Sequence, residues 1–320
     1  MTAPTPEMSE GPRPERRSTP RTITPLSTAA IGGDTLLRFP LDQAQLDRTV
    51  AAALTEDGAY NDLTTIATIL SDRRARAMIV AKEAGVIAGV PIALEAFRQM
   101  DSKVSIRVDL EDGTRVVPGT PVLFCTGHAR ALLSAERVAL NFMQRLSGIA
   151  TTTAQYVEAV KGTKARILDT RKTTPGWRQL EKYAVRAGGG MNHRHDLSSA
   201  VLIKDNHLSA LDNDIGLAVK RARDLVPEGI KVEVECDDLD QVRAAVAAKA
   251  DIILLDNLSI AEICEAVRRI GGRAQTEISG GVTLDRIPEL ARTGATYVSI
   301  GALTHSAPAA DLSLEIEPDV

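Results

Sequence analysis

Aromatic residues are scarce in this chain of 320 residues: Phe, Trp and Tyr make up 3% of it, although hydrophobic residues make up 44%. The core must therefore be built from Ala, Val, Leu and Ile. That composition suits a helix-covered parallel sheet better than an aromatic-rich sandwich. Charged residues contribute 25%, and at this length we expect an α/β protein of two domains with a large core.

Cysteine and long apolar runs are also rare. The three cysteines, Cys125, Cys236 and Cys264, are far apart and form no CxxC or Cys/His cluster, which argues against a disulfide framework or a zinc site. No segment approaches the roughly 18 to 20 apolar residues that a membrane span needs, and the N-terminus lacks the apolar core of a signal peptide. We therefore expect a cytoplasmic protein with no membrane partner.

Positive charge is concentrated in one region of a chain whose formal net charge is -4. Nine Lys or Arg lie between Lys164 and Lys204, against three acids. Such a run can be a solvated helix face, but here Arg171, Lys172 and Lys204 each follow an apolar, strand-like run. Because the pI is about 5.8, nucleic acid is not expected as the main partner. The pattern predicts a site for a small polyanion in a cleft.

The first part of the chain indicates a tail followed by a smaller domain. Residues 1–35 contain six Pro and four Arg with no hydrophobic periodicity, so we predict a disordered extension over 1–38. Beyond it the pattern predicts an amphipathic helix from Leu41 and an α+β arrangement of short strands. Ser134 is typical of the N-cap of a long helix, which we expect to be interrupted at Ser147–Gly148 and to resume as far as Val160.

A regular spacing of strand-like runs characterises the rest of the chain. These runs end near Asp169, Lys204, Glu235, Asp256, Ser279 and Gly301, and the last three intervals are 21 to 23 residues long. That length accommodates one loop, one helix and one strand. Repeated βα units of this kind predict a parallel barrel or a doubly wound sheet.

Polar residues stand at the ends of these strands, and the carboxyl ends of parallel strands meet at one edge. The edge is therefore predicted to hold cations, the carboxylates Glu235 and Asp256, and a glycine-rich backbone. The pair Gly280–Gly281 and the later Gly301 would let backbone N–H groups approach phosphate oxygens closely.

Seven motifs, which occur in order along the chain, resemble the signature set of the quinolinate phosphoribosyltransferase family of type II phosphoribosyltransferases. They are TRKTTPG at 170–176, GGGMNHRHD at 188–196, IKDNH at 203–207, VEVE at 232–235, LLDN at 254–257, ISGG at 278–281 and GALTH at 301–305. The likeness extends from about Leu41 to Ile316 and excludes only the N-terminal tail.

The resemblance implies an enzyme, a pentosyltransferase that is also called carboxylating nicotinate-nucleotide pyrophosphorylase. It would join quinolinate to 5-phosphoribosyl 1-pyrophosphate, releasing pyrophosphate and carbon dioxide and leaving nicotinate mononucleotide for NAD synthesis. The implied fold is an N-terminal α/β sandwich, residues 39–138 with 299–320, beside an incomplete seven-stranded α/β barrel of TIM-like type, residues 139–298. The implied assembly is a homodimer with shared active sites, which can assemble further.

The same resemblance assigns residues to the quinolinate carboxylates and to the phosphoribosyl substrate. Arg171, His193, Arg194 and Lys204 would hold the two quinolinate carboxylates, and charge-assisted hydrogen bonds of this type contribute on the order of 1.5 to 3 kcal/mol each. Lys172 would contact the phosphoribosyl substrate as a catalytic residue.

The ribose and phosphate groups are assigned to the later motifs. Glu235 and Asp256, the other two catalytic residues, would face the ribose hydroxyls and the Mg²⁺ bound to pyrophosphate, since Mg²⁺ prefers hard oxygen ligands shared with phosphates. Ser279, Gly280 and Gly301 would surround the 5-phosphate.

Two further residues carry expectations of their own. Glu233 lies on the same side of its strand as Glu235, but Glu235 is nearer the predicted edge and is therefore preferred. Arg137 corresponds to a family arginine that enters the neighbouring subunit's active site; without the resemblance it reads equally well as an ordinary cation on a helix surface.

Other functions remain open at this point. Lys204 could be the Schiff-base lysine of an aldolase-type lyase, although that leaves Arg171, Arg194 and the Ser279 turn without a purpose. A non-catalytic ligand-binding barrel and a phosphoribosyltransferase acting on nicotinate are further alternatives. The pair His193 and His195 lacks a third ligand at a typical metal-site spacing.

Overall fold

The computed structural model describes residues 37–319, so almost all of the extension predicted for 1–38 lies outside the described residues. Twelve strands are present in the described part of the chain. In chain order they are β1 Arg74–Ala81, β2 Gly85–Val86, β3 Ser105–Val108, β4 Arg115–Val116, β5 Pro121–His128, β6 Arg166–Leu168, β7 Val201–Ile203, β8 Val232–Cys236, β9 Ile252–Asp256, β10 Gln275–Ser279, β11 Tyr297–Ser299 and β12 Leu312–Pro318.

Eleven α-helices accompany them over the same residues, with short 3-10 turns at Ala59–Asn61 and Leu284–Arg286. The helices are α1 Gln43–Glu56, α2 Leu63–Thr68, α3 Val90–Met100, α4 Ala129–Ala159, α5 Arg178–Ala187, α6 Asp205–Ser209, α7 Ile215–Leu225, α8 Leu239–Ala247, α9 Ile260–Ile270, α10 Ile287–Arg292 and α11 Ala302–His305. Within 37–319, none combines the length and the apolar character that a membrane crossing requires.

An antiparallel sheet forms the first layer, with its strands in the order β12-β1-β5-β3. Its outer strand β12 comes from the end of the chain and pairs with β1 in the register Ala77 to Ile316. Helix α4 packs against this sheet, and α3 packs against α1 and α4; the fully buried side chains include Ile79, Phe97 and Leu123.

A parallel sheet forms the second layer and confirms the predicted βα repeat. Its six strands run in the order β6-β11-β10-β9-β8-β7, and one further bridge joins Leu168 to Met191. Successive side chains of each strand point to opposite faces of the sheet. Val232, Val234 and Ile253 are fully buried on one face, where α7 and α8 pack against β8, whereas Glu233 and Glu235 face the other side.

Helix α4 differs from its prediction. It is one unbroken helix of 31 residues whose N-cap is His128 rather than Ser134, so the expected interruption at Ser147–Gly148 is wrong. The Ser134 hydroxyl instead donates to Asp62 Oδ2 at 3.0 Å, and Ser147 Oγ accepts from the Ala88 N–H at 2.9 Å. Ser134 and Ser147 thus lie where α4 packs closely against the segments that carry Asp62 and Ala88. The helix also runs across the predicted domain boundary between residues 138 and 139. That boundary stays a prediction.

Gly148 provides a test of that packing. A methyl group at its Cα would overlap the carbonyl group of Pro308. We predict that Gly148→Ala lowers the free energy of unfolding by about 1 to 3 kcal/mol, because backbone atoms cannot move aside cheaply. Gly216→Ala in α7, where the nearest atom is a carboxylate oxygen at 3.3 Å, should stay within about 1 kcal/mol of wild type. Denaturant unfolding of both variants measures this, and equal effects would contradict it.

Candidate active site

The predicted polar residues converge at the carboxyl edge of the parallel sheet. Asp256 and Ser279 are register partners on β9 and β10. Lys204 directly follows β7, and its Nζ donates to Glu235 near the end of β8. Side chains that are far apart in sequence therefore share one edge, because the strands that carry them are parallel and in register.

A buried ion pair holds the segment that carries His193 and Arg194. Asp169, just beyond β6, accepts from Lys182 Nζ at 2.5 Å and from the His193 N–H at 2.8 Å, and from Asn192 Nδ2 at 2.6 Å. Lys182 Nζ also donates to the His193 carbonyl at 3.1 Å. Burial raises the pKa of Asp169 and lowers that of Lys182, so each ion depends on the other for its charge.

Two arginines lie close together at this edge. Arg194 is only 8% exposed, and its guanidinium donates to the Ala200 carbonyl at 3.2 Å. Burial, followed by the positive charge of Arg171, lowers the pKa of Arg194. Arg171 Nε is buried and has no hydrogen-bond partner among the described residues. Two cations in this arrangement favour an anion between them.

The Gly280 turn next to the cations is sterically required. Gly280 has φ 94° and Gly281 φ 55°, a region that favours glycine. A methyl group on Gly280 would overlap the Asn257 amide, and one on Gly301 would come within 2.9 Å of Lys172 Cδ. Asn257 Nδ2 donates to Asp256 at 2.7 Å. Gly280 thus lies directly against Asn257, and Gly301 lies directly against Lys172.

A second buried network holds the Lys172 loop, and nothing in the sequence pointed to it. Arg145 on α4 donates to Glu181 on α5 at 3.0 Å and to the Ala307 carbonyl at 2.9 Å. Glu181 accepts from the Thr174 N–H at 3.0 Å, and Thr304 Oγ donates to the Lys172 carbonyl at 2.8 Å. No local pattern could have paired side chains from two helices and a turn.

His193 lies against two buried acids. Its Nε2 is 3.2 Å from Glu233 Oε2 and 3.4 Å from Glu277 Oε1, and all three side chains are buried. Burial, followed by the charge of Glu277, raises the pKa of Glu233 to about 7. Glu233 is thus enclosed, whereas Glu235 reaches the edge beside Lys204. The sequence reading had missed Glu277, although its place two residues before Ser279 on the same face of β10 could have indicated it.

Arg137 lies apart from the other candidate residues. Its side chain is 57% exposed on α4, and its guanidinium lies 4.0 Å from Glu136. Within the described chain, no hydrogen bond or ion pair joins it to the residues of the sheet edge. The structure therefore does not bring Arg137 together with the other predicted site residues.

Comparison with protein families gives two matches that together cover most of the chain. Residues 62–147 match the N-terminal domain model of quinolinate phosphoribosyl transferase, and residues 149–315 match the C-terminal domain model. The chain belongs to the quinolinate phosphoribosyltransferase family. This confirms the resemblance drawn from the seven motifs.

Individual relatives agree with the family models. The chain is 45% identical over 276 residues to the carboxylating nicotinate-nucleotide pyrophosphorylase of Mycobacterium leprae, covering 84% of this chain and 96% of the relative. It is 41% identical over 276 residues to the probable carboxylating enzyme of Bacillus subtilis, covering 86% and 95%. The crystal structure of NadC from Streptococcus pyogenes matches with a TM-score of 0.83 at 43% identity, covering 87% of this chain and 98% of that one.

The Asp169–Lys182 pair generates a stability prediction. Lys182→Met keeps the length of the side chain but leaves Asp169 as an uncompensated buried charge, so we expect a loss of about 3 to 5 kcal/mol of unfolding free energy. Lys220→Met is the matched control, since it breaks an ion pair with Asp224 whose side chains are 71% and 60% exposed, and it should cost less than about 1 kcal/mol. Similar unfolding midpoints for the two variants would show that the buried pair contributes little.

Proposed function

We propose that the protein is a carboxylating nicotinate-nucleotide pyrophosphorylase. It transfers the phosphoribosyl group of 5-phosphoribosyl 1-pyrophosphate to quinolinate and forms nicotinate mononucleotide, pyrophosphate and carbon dioxide for NAD biosynthesis. The observation that carries the proposal is the group of poorly compensated cations at the carboxyl edge of the parallel sheet, in a chain of this family. Both 5-phosphoribosyl 1-pyrophosphate and quinolinate are anions, so both need a positively charged site of this kind.

The dicarboxylate is bound by Arg171, Arg194 and Lys204 in this proposal. Arg171 offers a buried Nε that has no partner in the described chain, and Arg194 retains donors beyond its one contact with Ala200. Guanidinium groups match carboxylates through paired hydrogen bonds. Lys204 supplies a further positive charge, which Glu235 holds in place in the absence of substrate.

The phosphoribosyl substrate lies beside the glycine turns. Lys172, held against Gly301, neutralises phosphate charge, and the Ser279, Gly280 and Gly301 backbones surround the 5-phosphate. Glu235 and Asp256 provide the hard carboxylate oxygens that suit a Mg²⁺ ion shared with pyrophosphate. When bound, Mg²⁺ would supply positive charge to the departing pyrophosphate. The two acids also face the ribose, where they stabilise positive charge that develops at C1.

Decarboxylation follows from the substrate's own electronics. Once the ring nitrogen carries the ribosyl group it is quaternary, and the neighbouring carbon can hold the electron pair that carbon dioxide leaves behind until that carbon takes up a proton from water. The contribution of this chain is to orient the ring through its two carboxylates, and the cations then stabilise the carboxylate that remains.

The finer architecture is part of the proposal. We infer that the six-stranded sheet, extended by the bridge at Met191, is the wall of an incomplete seven-stranded barrel, and that the β12-β1-β5-β3 sheet with α1 and α3 forms a sandwich. The cytoplasmic location expected from the sequence stays a prediction.

A homodimer with shared sites accounts for the exposed Arg137. Helix α2 packs against α4 and presents Leu63, 72% exposed, and Ile66, 46% exposed, while Leu70 just beyond it is 75% exposed. An exposed apolar group of this kind is typical of an interaction surface. If two copies associate through this surface, Arg137 enters the partner's sheet edge.

An aldolase-type mechanism fits less well. A Schiff-base lysine must have a free amine to attack a carbonyl, whereas Lys204 Nζ is engaged by the Glu235 carboxylate. The arginines and the glycine turns would have no role in such a reaction.

The first functional prediction concerns products. With 5-phosphoribosyl 1-pyrophosphate and Mg²⁺, quinolinate should give nicotinate mononucleotide and one carbon dioxide per turnover. Nicotinate should be a poor substrate, because a site built for two carboxylates leaves cations unpaired when one is missing. Chromatography of the nucleotide product together with trapping of carbon dioxide measures this. Equal turnover of nicotinate would reject the assignment.

The second concerns the carboxylate site. Arg171→Ala or Lys204→Ala should weaken quinolinate binding by roughly 2 to 4 kcal/mol, or about 30- to 1000-fold, because each removes a charged partner. Calorimetric titration of the folded variants measures the affinity, with Lys220→Ala on the exposed face of α7 as the control. Unchanged affinity in both variants would rule out the proposed site.

The third concerns assembly. Arg137→Ala and Lys204→Ala should each be nearly inactive, but refolding them together should restore activity toward about a quarter of wild type. Random mixing makes roughly half of the dimers mixed, and each mixed dimer has one intact site of two. Differently tagged subunits would verify the exchange. Confirmed mixed dimers without any rescue would show that Arg137 does not act across the interface.

A further inference from the structure

The backbone of the loop that carries Lys172 is held by two buried side chains. The Lys172 carbonyl accepts from the hydroxyl of Thr304 at 2.8 Å. The Thr174 N–H donates to Glu181 at 3.0 Å, and the Thr174 hydroxyl donates to the same carboxylate at 2.8 Å. Both Thr304 and Glu181 are fully buried. Such hydrogen bonds fix a backbone, because breaking one leaves a buried polar group without a partner.

Thr304 also connects this loop with the Gly301 turn. Its hydroxyl oxygen lies 3.2 Å from the Gly301 carbonyl oxygen, three residues earlier in the chain. Gly301 in turn lies against the side chain of Lys172, since a methyl group on Gly301 would come within 2.9 Å of Lys172 Cδ. The backbone and the side-chain stem of Lys172 therefore both contact the segment 301–304.

Arg145 on α4 links the same two parts of the structure a second time. Its guanidinium donates to Glu181 at 3.0 Å, to the Thr304 carbonyl, and to the Ala307 carbonyl at 2.9 Å. Glu181 balances the charge of Arg145 and uses its remaining acceptors for Thr174. One guanidinium thus holds both the carboxylate that fixes the loop and the segment that follows the Gly301 turn.

Arg171, one residue before Lys172, has a different support. Its carbonyl accepts from the guanidinium of Arg178 at 3.4 Å, and Arg178 Nε donates to the Thr173 hydroxyl at 3.0 Å. The residue assigned to the dicarboxylate and the residue assigned to the phosphoribosyl substrate are therefore anchored by separate side chains. Loss of the Thr304 hydroxyl should consequently affect Lys172 more than Arg171.

We propose that Thr304, Glu181 and Arg145 are positioning residues of the phosphoribosyl site, which hold Lys172 against the Gly301 turn and do not contact substrate themselves. The inference rests on the proposed function, in which Lys172 neutralises phosphate charge. A lysine ammonium sits on a flexible four-carbon stem. Fixing the backbone and the stem beforehand reduces the conformational entropy that is lost when the substrate binds.

Thr304→Val tests the proposal, because it removes the hydroxyl and keeps the shape of the side chain. Calorimetric titration with 5-phosphoribosyl 1-pyrophosphate and Mg²⁺ should show about 5- to 30-fold weaker binding, while quinolinate affinity changes less than about threefold. Thr304→Ser keeps the donor and should restore most of the affinity. Thr153→Val is the matched control, since this fully buried hydroxyl donates to the Ile149 carbonyl at 2.8 Å, and it should leave both affinities unchanged.

Glu181→Gln is an independent variant. Its amide oxygen can still accept from Arg145 and from the Thr174 hydroxyl, but its NH₂ group then faces the Thr174 N–H, so no orientation satisfies all three donors. The same selective loss of phosphoribosyl binding is expected, again about 5- to 30-fold. Since one variant changes a hydroxyl and the other a carboxylate, poor folding of either leaves the other as the test.

A double-mutant cycle decides whether the effect passes through Lys172. In the Lys172→Ala background, Thr304→Val should add less than about threefold, because the group that it positions is absent. A larger additional loss, an equal weakening of quinolinate and phosphoribosyl binding, or unchanged binding in the folded variants would overturn the proposal. These titrations need no turnover, so they are separate from the product assay. Wild-type protein that failed to bind 5-phosphoribosyl 1-pyrophosphate would reject the proposed function and this inference with it.

Discussion

The carboxylate of Asp169 is the contact on which the candidate site depends. It stands at the end of β6, receives the ammonium of Lys182 from α5, and accepts from Asn192 and the His193 N–H. One buried group thereby joins a strand, a helix and the loop that carries Arg194. Since its two oxygens accept three donors with almost no exposure to water, any movement of that loop would leave a buried charge unsatisfied.

At the sheet edge above this contact, the positive charge of the two arginines is not balanced unless a ligand is bound. Burial, followed by the positive charge of Arg171, lowers the pKa of Arg194, and the acid nearest to Lys204 is the one that we assign to ribose and metal. A protein normally avoids burying cations in this manner. Here the repulsion creates a site whose charge is balanced when a dicarboxylate and a pyrophosphate enter.

Much of this edge could be predicted from the sequence, because strand periodicity is a local signal and polar residues at strand ends follow it. The βα spacing, Lys204 beside Glu235, and the steric need for Gly280 are of this kind. The continuous helix α4 could not be predicted, since Ser147 and Gly148 look like a helix interruption until tertiary contacts with Ala88 and Pro308 are known.

The supporting networks escaped prediction for a related reason. Arg145 and Glu181 lie on different helices, and Glu277 meets His193 only when the sheet has formed. Nothing local distinguishes Arg145 and Glu181 from ordinary surface charges.

A crystal structure of the protein with quinolinate bound is the most direct test of the central claim. The account predicts the two carboxylates within about 2.7 to 3.0 Å of nitrogen atoms of Arg171, Arg194 and Lys204, with the pyridine nitrogen directed toward Asp256 and the glycine turns. Quinolinate bound elsewhere, or bound at this edge with either carboxylate out of reach of all three cations, would contradict it.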